Sequence, residues 1–153
     1  MPKKSAGIIL YRFTNDHLEV LLIHPGGPFW AKKDLNAWSI PKGEFEEGED
    51  PLDAARREVK EEVGMNVDGK FVALTPVKQK SGKLVFAWAL QGDFDPLNIQ
   101  SNEFEMEWPP RSGKKKMFPE VDKAGWFTID EGVKKIVEGQ IPLLRELERL
   151  VDN

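Results

Sequence analysis

Apolar and polar positions follow two different rhythms along this chain. Ala6 to Phe13 and Leu18 to His24 are apolar, β-branched-rich runs joined by Thr14-Asn15-Asp16-His17. They predict two strands linked by a turn. Pro25 to Lys33 is a loop rich in glycine, proline and aromatics, and Ala37 to Ile40 predicts a short strand stopped by Pro41. The period then lengthens. Leu52, Ala55, Val59 and Val63 recur at helical spacing behind the acidic cap Asp50 and Pro51, and Gly64 suits the C-cap. Phe71 to Val77 and Leu84 to Leu90 predict strands around the Ser81-Gly82 turn.

From Asn102 to Trp108 the alternation is clean, with Glu103, Glu105 and Glu107 on one face and Phe104, Met106 and Trp108 on the other. Pro109 to Lys116 reads as a basic loop and Gly125 to Phe127 as a final short strand. Thr128 or Asp130 caps a helical region, and Ile141, Leu143, Leu144, Leu147 and Leu150 form the apolar side of a terminal helix. Strands on both sides of the first helix, followed by C-terminal helices, predict an α/β fold: a mixed sheet covered on both faces. No repeat or linker interrupts the 153 residues, so one domain, 1–153, is expected.

Composition narrows the chemistry. There is no cysteine, which excludes disulfides, thiolate catalysis and cysteine-based metal sites. No apolar run approaches the roughly 18 residues of a membrane span, and no signal peptide stands out, so a cytoplasmic protein without membrane contact is the expectation. With 22 basic and 26 acidic residues the formal charge is -4, which argues against a stable nucleic-acid partner. A small nucleotide is another matter, because a bound cation would meet its charge locally.

The segment from Gly43 to Met65 carries the most specific signal. Glu58, Glu61 and Glu62 stand at i, i+3 and i+4, so their carboxylates gather on one helix face and repel. A solvated acidic face would look the same in isolation, since glutamate forms helices well. A hard divalent cation gives the crowding a purpose: Mg2+ takes carboxylate oxygens together with substrate phosphates. Arg57, among these acids, has a fork able to hold Glu49 or another carboxylate bidentately. Gly43 and Gly48 allow the acidic loop to turn tightly.

Gly43, Glu49, Arg57-Glu58-Val59, Glu61-Glu62 and Gly64-Met65 resemble the box of the Nudix hydrolase family at nine separated positions, with the family's gaps. The resemblance implies a Nudix-type α/β/α sandwich and an enzyme acting on phosphoric anhydrides. In such enzymes Mg2+, or Mn2+ in its place, assists hydrolysis of a nucleoside diphosphate linked to another moiety. It further implies Glu58 and Glu62 as metal ligands, Glu61 as ligand or water activator, Glu49 as an orienting acid, and the Lys42 backbone carbonyl as a further ligand. A last acid often comes from outside the box. Glu120, six residues before Trp126, fits one such arrangement, with Glu103, Glu105 and Glu107 as rivals.

The approach to the box, Trp38-Ser39-Ile40-Pro41-Lys42-Gly43, resembles that of diadenosine polyphosphate and diphosphoinositol polyphosphate hydrolases. Lys42 offers a mobile charge for extra phosphates, and Arg111, Lys114, Lys115 and Lys116 offer a clamp or simply a solubilising loop. Phe29, Trp30 and Phe45 offer faces on which a base could stack. His24 reads as structural and His17 as exposed; two isolated histidines make no zinc site. The expected substrates are dinucleoside polyphosphates such as diadenosine tetraphosphate. ADP-ribose or another nucleoside diphosphate derivative, an inositol pyrophosphate, and a non-catalytic nucleotide-binding module are the alternatives, in a monomer or homodimer.

Overall fold

The computed structural model describes residues 3–151. Strand β1 (Lys4–Thr14) and strand β2 (His17–Pro25) form the expected hairpin. Its turn residues Asn15 and Asp16 sit at φ 51° and 68°, a left-handed conformation these two side chains tolerate better than most. Antiparallel pairing runs from Tyr11–Val20 to the turn. Beyond it the strands part, and residues 38–44 fill the gap.

That wedge corrects one expectation. Ser39 exchanges backbone hydrogen bonds with Ile23 on one side, while the Ile8 N–H donates to the Pro41 carbonyl on the other. Residues 37–40 therefore make isolated bridges, Ser39 to Ile23 and Trp38 to Ile136, and no regular strand. Regular pairing starts only after Pro41, in β3 (Lys42–Glu44) against Ser5–Gly7. Gly7 permits the close approach, since a Cβ there would lie 2.3 Å from the Pro41 oxygen.

Helix α1 (Pro51–Val63) follows, capped as its sequence predicts: Asp50 accepts from the Asp53 N–H, and Gly64 closes the helix at φ 76°. The predicted strand 71–77 is split into β4 (Val72–Ala73) and β5 (Val77–Lys78). Between them the Thr75 N–H turns to the Glu146 carboxylate, and Pro76 has no N–H to give. Both pair antiparallel with β6 (Leu84–Gln91), which runs parallel to β1.

Next comes a ribbon of β7 (Glu103–Glu107) and β8 (Lys115–Pro119), separate from the main sheet. Lys115 and Lys116, expected in a loop, belong to β8. The last strand, β9 (Val121–Thr128), is longer than the predicted 125–127 because it pairs along β2 to Pro25; exposed Asp122 and Lys123 hid its start. Thr128 caps α2 (Ile129–Lys135), and α3 (Ile141–Val151) ends the described chain. Among the described residues seven strands make one mixed sheet, with β4-β6-β1-β2-β9 in order.

Both faces of this sheet are covered, which explains why β1 and β2 read as continuous apolar runs. Ala6, Ile8, Leu10, Leu21 and Ile23 meet Ala54, Ala55, Val59 and Val63 of α1. Ile9, Val20 and Leu22 meet Ile129, Leu143, Leu144 and Leu147 from α2 and α3. Leu150, expected on that apolar side, is instead 48% exposed at the helix end. The architecture is the α/β/α sandwich expected. Among the described residues no helix is long and apolar enough to cross a membrane.

Candidate active site

The site grows from the junction of β3 with α1. Packing of Val59 and Val63 against the sheet fixes the rotation of α1. The same rotation turns Glu58 and Glu62 toward β3. A Cβ on Gly43 would lie 1.9 Å from Glu58 Oε2, so this carboxylate occupies the space a side chain would need. Glu62 is held alongside, its Oε2 accepting from the Lys42 N–H at 3.2 Å.

Arg57 ties the acidic loop to the helix. Its Nε and Nη2 reach both oxygens of Glu49, at 3.0–3.2 Å, and its Nη1 donates to Glu58 Oε1 at 2.7 Å. Glu61 lies 3.7 Å from the same guanidinium and is the most solvent-exposed of the three helix carboxylates. Gly48, at φ 94°, makes the turn that brings Glu49 back to Arg57.

Electrostatically the cluster is short of positive charge. Burial pushes the Glu62 carboxyl up to about 8, against the opposing Lys42 N–H and ammonium, and the charges of Glu120 and Glu58 push it further. Burial also raises Glu58, which Arg57 opposes and Glu61 and Glu120 reinforce. Lys42 stands next to these carboxylates. Its side chain is half-buried, and burial with the nearby Lys83 lowers its pKa while Glu62, Glu44 and Glu58 hold it up. It lines the larger cavity together with Glu62.

Among the described residues no three acidic or histidine side chains converge as a closed ligand set. The arrangement nonetheless fits Mg2+ or Mn2+, since Mg2+ commonly takes one or two carboxylates and leaves its other positions to water and substrate phosphates. Two crowded, partly desolvated carboxylates with raised pKa values provide that offer.

Glu120 is exposed at the β8–β9 junction, yet it faces the cluster. A cavity of about 580 Å³ is lined by Trp30, Ser39, Lys42, Glu62, Gln79 and Glu120, among others. A second, of about 410 Å³, is walled by Phe29, Trp30, Phe104, Met106 and Glu120. Trp30 and Glu120 border both. Lys33 Nζ lies 3.9 Å from the centre of the Phe29 ring.

Other expected residues lie elsewhere. Phe45 packs on the α1 side of the core, edge-on to Phe86, so its ring is committed to the fold. Glu103, Glu105 and Glu107 occupy the wet face of β7. Lys115 opposes Glu107 across the ribbon, while Glu120 follows Pro119 at its other end. Five extended residues separate Lys115 from Glu120 by roughly 16 Å, and Arg111 and Lys114 lie farther toward the tip. The structure does not gather this basic group around the carboxylates. His24 is fully buried, with Nδ1 2.8 Å from Asp122 and Nε2 2.6 Å from the Lys33 carbonyl, and it serves the fold; His17 is exposed. Sequence reasoning passed over Gln79 and Gln140; the one signal was Gln140 standing directly before the apolar helix α3, and Gln79 gave none.

The family model described as NUDIX domain matches residues 1–147. An 8-oxo-(d)GTP phosphatase of Mycolicibacterium smegmatis is 28% identical over 87% of this chain and 37% of its own length. A bis(5'-nucleosyl)-tetraphosphatase (asymmetrical) of Caenorhabditis elegans is 37% identical over 42% of the chain and 43% of its own length. The chain thus spans less than half the length of these curated relatives. A crystal structure of a C. elegans Ap4A hydrolase binary complex superposes with a TM-score of 0.67 at 23% identity, covering 98% of both chains. That likeness establishes the fold.

Proposed function

The chain belongs to the NUDIX domain family, and from that membership we propose that it is a metal-dependent pyrophosphohydrolase of nucleoside polyphosphates, with dinucleoside polyphosphates favoured. One observation carries the substrate reading. The carboxylate cluster lies beside two cavities that share Trp30 and Glu120, so one seat is available for each nucleoside with the phosphate chain between them. The tetraphosphatase relative and the Trp38-to-Gly43 approach support the same choice.

Glu58 and Glu62, with the Lys42 carbonyl, would hold Mg2+ or Mn2+. When bound, the ion screens the anhydride oxygens and makes water more acidic. Glu120, exposed at the cavity rim, accepts the proton of the attacking water. That water oxygen bonds to phosphorus while the bridging P–O bond breaks and the displaced nucleotide leaves with the bridging oxygen. Glu61 orients water from the helix face, and Arg57 holds Glu49 and Glu58 in register. Trp30 and Phe29 supply apolar wall for a base.

An ADP-ribose or other nucleoside diphosphate derivative is the second reading, since the larger cavity alone would seat its nucleoside. An inositol pyrophosphate is disfavoured by the distance of Arg111, Lys114 and Lys115 from the carboxylates.

Product-resolved hydrolysis tests the proposal, using diadenosine tetraphosphate, ADP-ribose, nucleoside triphosphates and an inositol pyrophosphate with Mg2+ or Mn2+. Selective conversion of the dinucleotide to ATP and AMP is the expected result. Preference for ADP-ribose would keep the chemistry and move the substrate. Binding without metal-dependent turnover on any of them would indicate a nucleotide-binding module. Arg57→Lys keeps the charge but loses the fork, and kcat should fall about tenfold or more while Tm changes little. An unchanged kcat would remove Arg57 from its positioning role.

A further inference from the structure

The larger cavity ends in a hydrogen-bond network whose polarity can be read without ambiguity. Gln140 is fully buried in the turn before α3. The Ile40 backbone N–H points at its side chain at 3.0 Å, and a backbone N–H can only donate. The atom receiving it must be oxygen, so the Gln140 amide orientation is fixed. Its Nε2 then donates in two directions, to Ser39 Oγ at 3.1 Å and to a side-chain atom of Gln79 at 3.0 Å. That Gln79 atom must in turn be its oxygen. Gln79 Nε2 is left without a protein acceptor among the described hydrogen bonds, on a residue that lines the cavity.

The position of Gln79 is built as carefully as its polarity. Its Cα and Cγ lie 3.1 and 3.0 Å from where a Cβ on Gly139 would be, so the side chain rests against bare backbone. Lys42, Glu62 and Glu120 line the same cavity. A ligand whose phosphates meet those carboxylates through a metal can extend its nucleoside toward Gln79.

We propose that Gln79 is a base-reading residue, locked by Gln140 to present hydrogen-bond donors, and that the cavity therefore selects a purine with a carbonyl at position 6 over one with an amine. The inference rests on the nucleotide reading above. An amide NH2 facing a 6-oxo group makes a hydrogen bond; facing a 6-amino group it sets donor against donor and leaves both unpaired. In a dinucleoside polyphosphate this favours an oxopurine in the larger cavity and leaves the aromatic cleft to the second base, so diadenosine tetraphosphate is accepted but less readily than a counterpart that carries one oxopurine.

Inosine and adenosine monophosphates are the appropriate probes, because their difference centres on position 6 and the adjoining ring nitrogen. Binding to the full chain can be followed by tryptophan fluorescence, independently of turnover. The wild type should bind inosine monophosphate about fivefold more tightly. Gln79→Glu, at a partly exposed position, replaces the donor by an acceptor and should reverse the order. Gln140→Glu should also reverse it without altering Gln79, because the new acceptor turns the Gln79 amide around; a thermal melt checks that this buried variant folds. Equal affinities in the wild type, or a preference that Gln79→Glu leaves unchanged, would overturn the assignment while leaving the hydrolase reading intact. Failure to bind either nucleotide would remove the nucleotide reading and this inference with it.

Discussion

Replacing Glu62 by glutamine is expected to lower kcat about 1,000-fold while making the metal-free protein more stable at alkaline pH. The two effects have one origin. Burial holds the Glu62 carboxyl at about 8, far above the roughly 4.3 of an unfolded glutamate. Between those values the folded state keeps a proton that the unfolded state has lost. Stability therefore falls as pH rises through this window and levels off above it. Glutamine is close in shape, carries no charge, and can still accept from the Lys42 N–H through its oxygen, so the pH-dependent loss should vanish.

The functional cost runs the other way. A neutral amide is a poor substitute for a carboxylate facing a dication, and the several kcal/mol of charge stabilisation that a catalytic metal contributes depend on holding it in place. Without metal, the wild type should melt roughly 5 °C or more lower at pH 9 than at pH 6 relative to the variant. Millimolar Mg2+ or Mn2+ should recover the wild type at pH 9 and leave Glu62→Gln nearly unmoved. A variant that retained wild-type kcat, or that showed the same pH slope, would take Glu62 out of the metal site. Such a trade of stability for activity is common where a site concentrates like charge.

Much of this site is legible in the sequence. The α1 stripe, its Asp50 and Gly64 caps and the Glu58–Glu61–Glu62 spacing are local, and local periodicity determines which face of a helix meets the sheet. What stayed hidden depended on distant partners. The segment at 37–40 looked like a strand because its residues suit one, but it lies between two diverging strands and pairs with each only in passing. Phe45 looked like a loop aromatic until Phe86, 41 positions away, claimed its edge. The basic group at 111–115 looked close to Glu120 in sequence, whereas an extended strand turns five residues into a long reach. The Gln79–Gln140 pair is the extreme case. Its members are 61 residues apart, and the polarity of their contact originates in the backbone of Ile40.

Gly43→Ala should separate the site from the fold most sharply. An added Cβ would lie 1.9 Å from Glu58 Oε2, 2.3 Å from Cδ and 2.7 Å from Cγ. The obstructing group is mainly the end of a flexible side chain, so the collision can be relieved by swinging Glu58 away, and the backbone of β3 can stay paired with β1. Thermal stability should change by no more than roughly 3 °C, the equivalent of about 1 kcal/mol in a chain of this size. Activity has no such escape. Glu58 would leave both Arg57 Nη1 and its place beside Glu62, and misplacement of a ligating group by about an ångström is enough for a 100-fold loss. The expected outcome is kcat down at least 100-fold, with a higher metal concentration needed for half-activity and an almost unchanged melting curve. A large drop in Tm would mean that Gly43 is required by the fold itself. Full activity would mean that Glu58 works from a position other than the one it occupies against Gly43, and the metal site would have to be redrawn around Glu62 and Glu120.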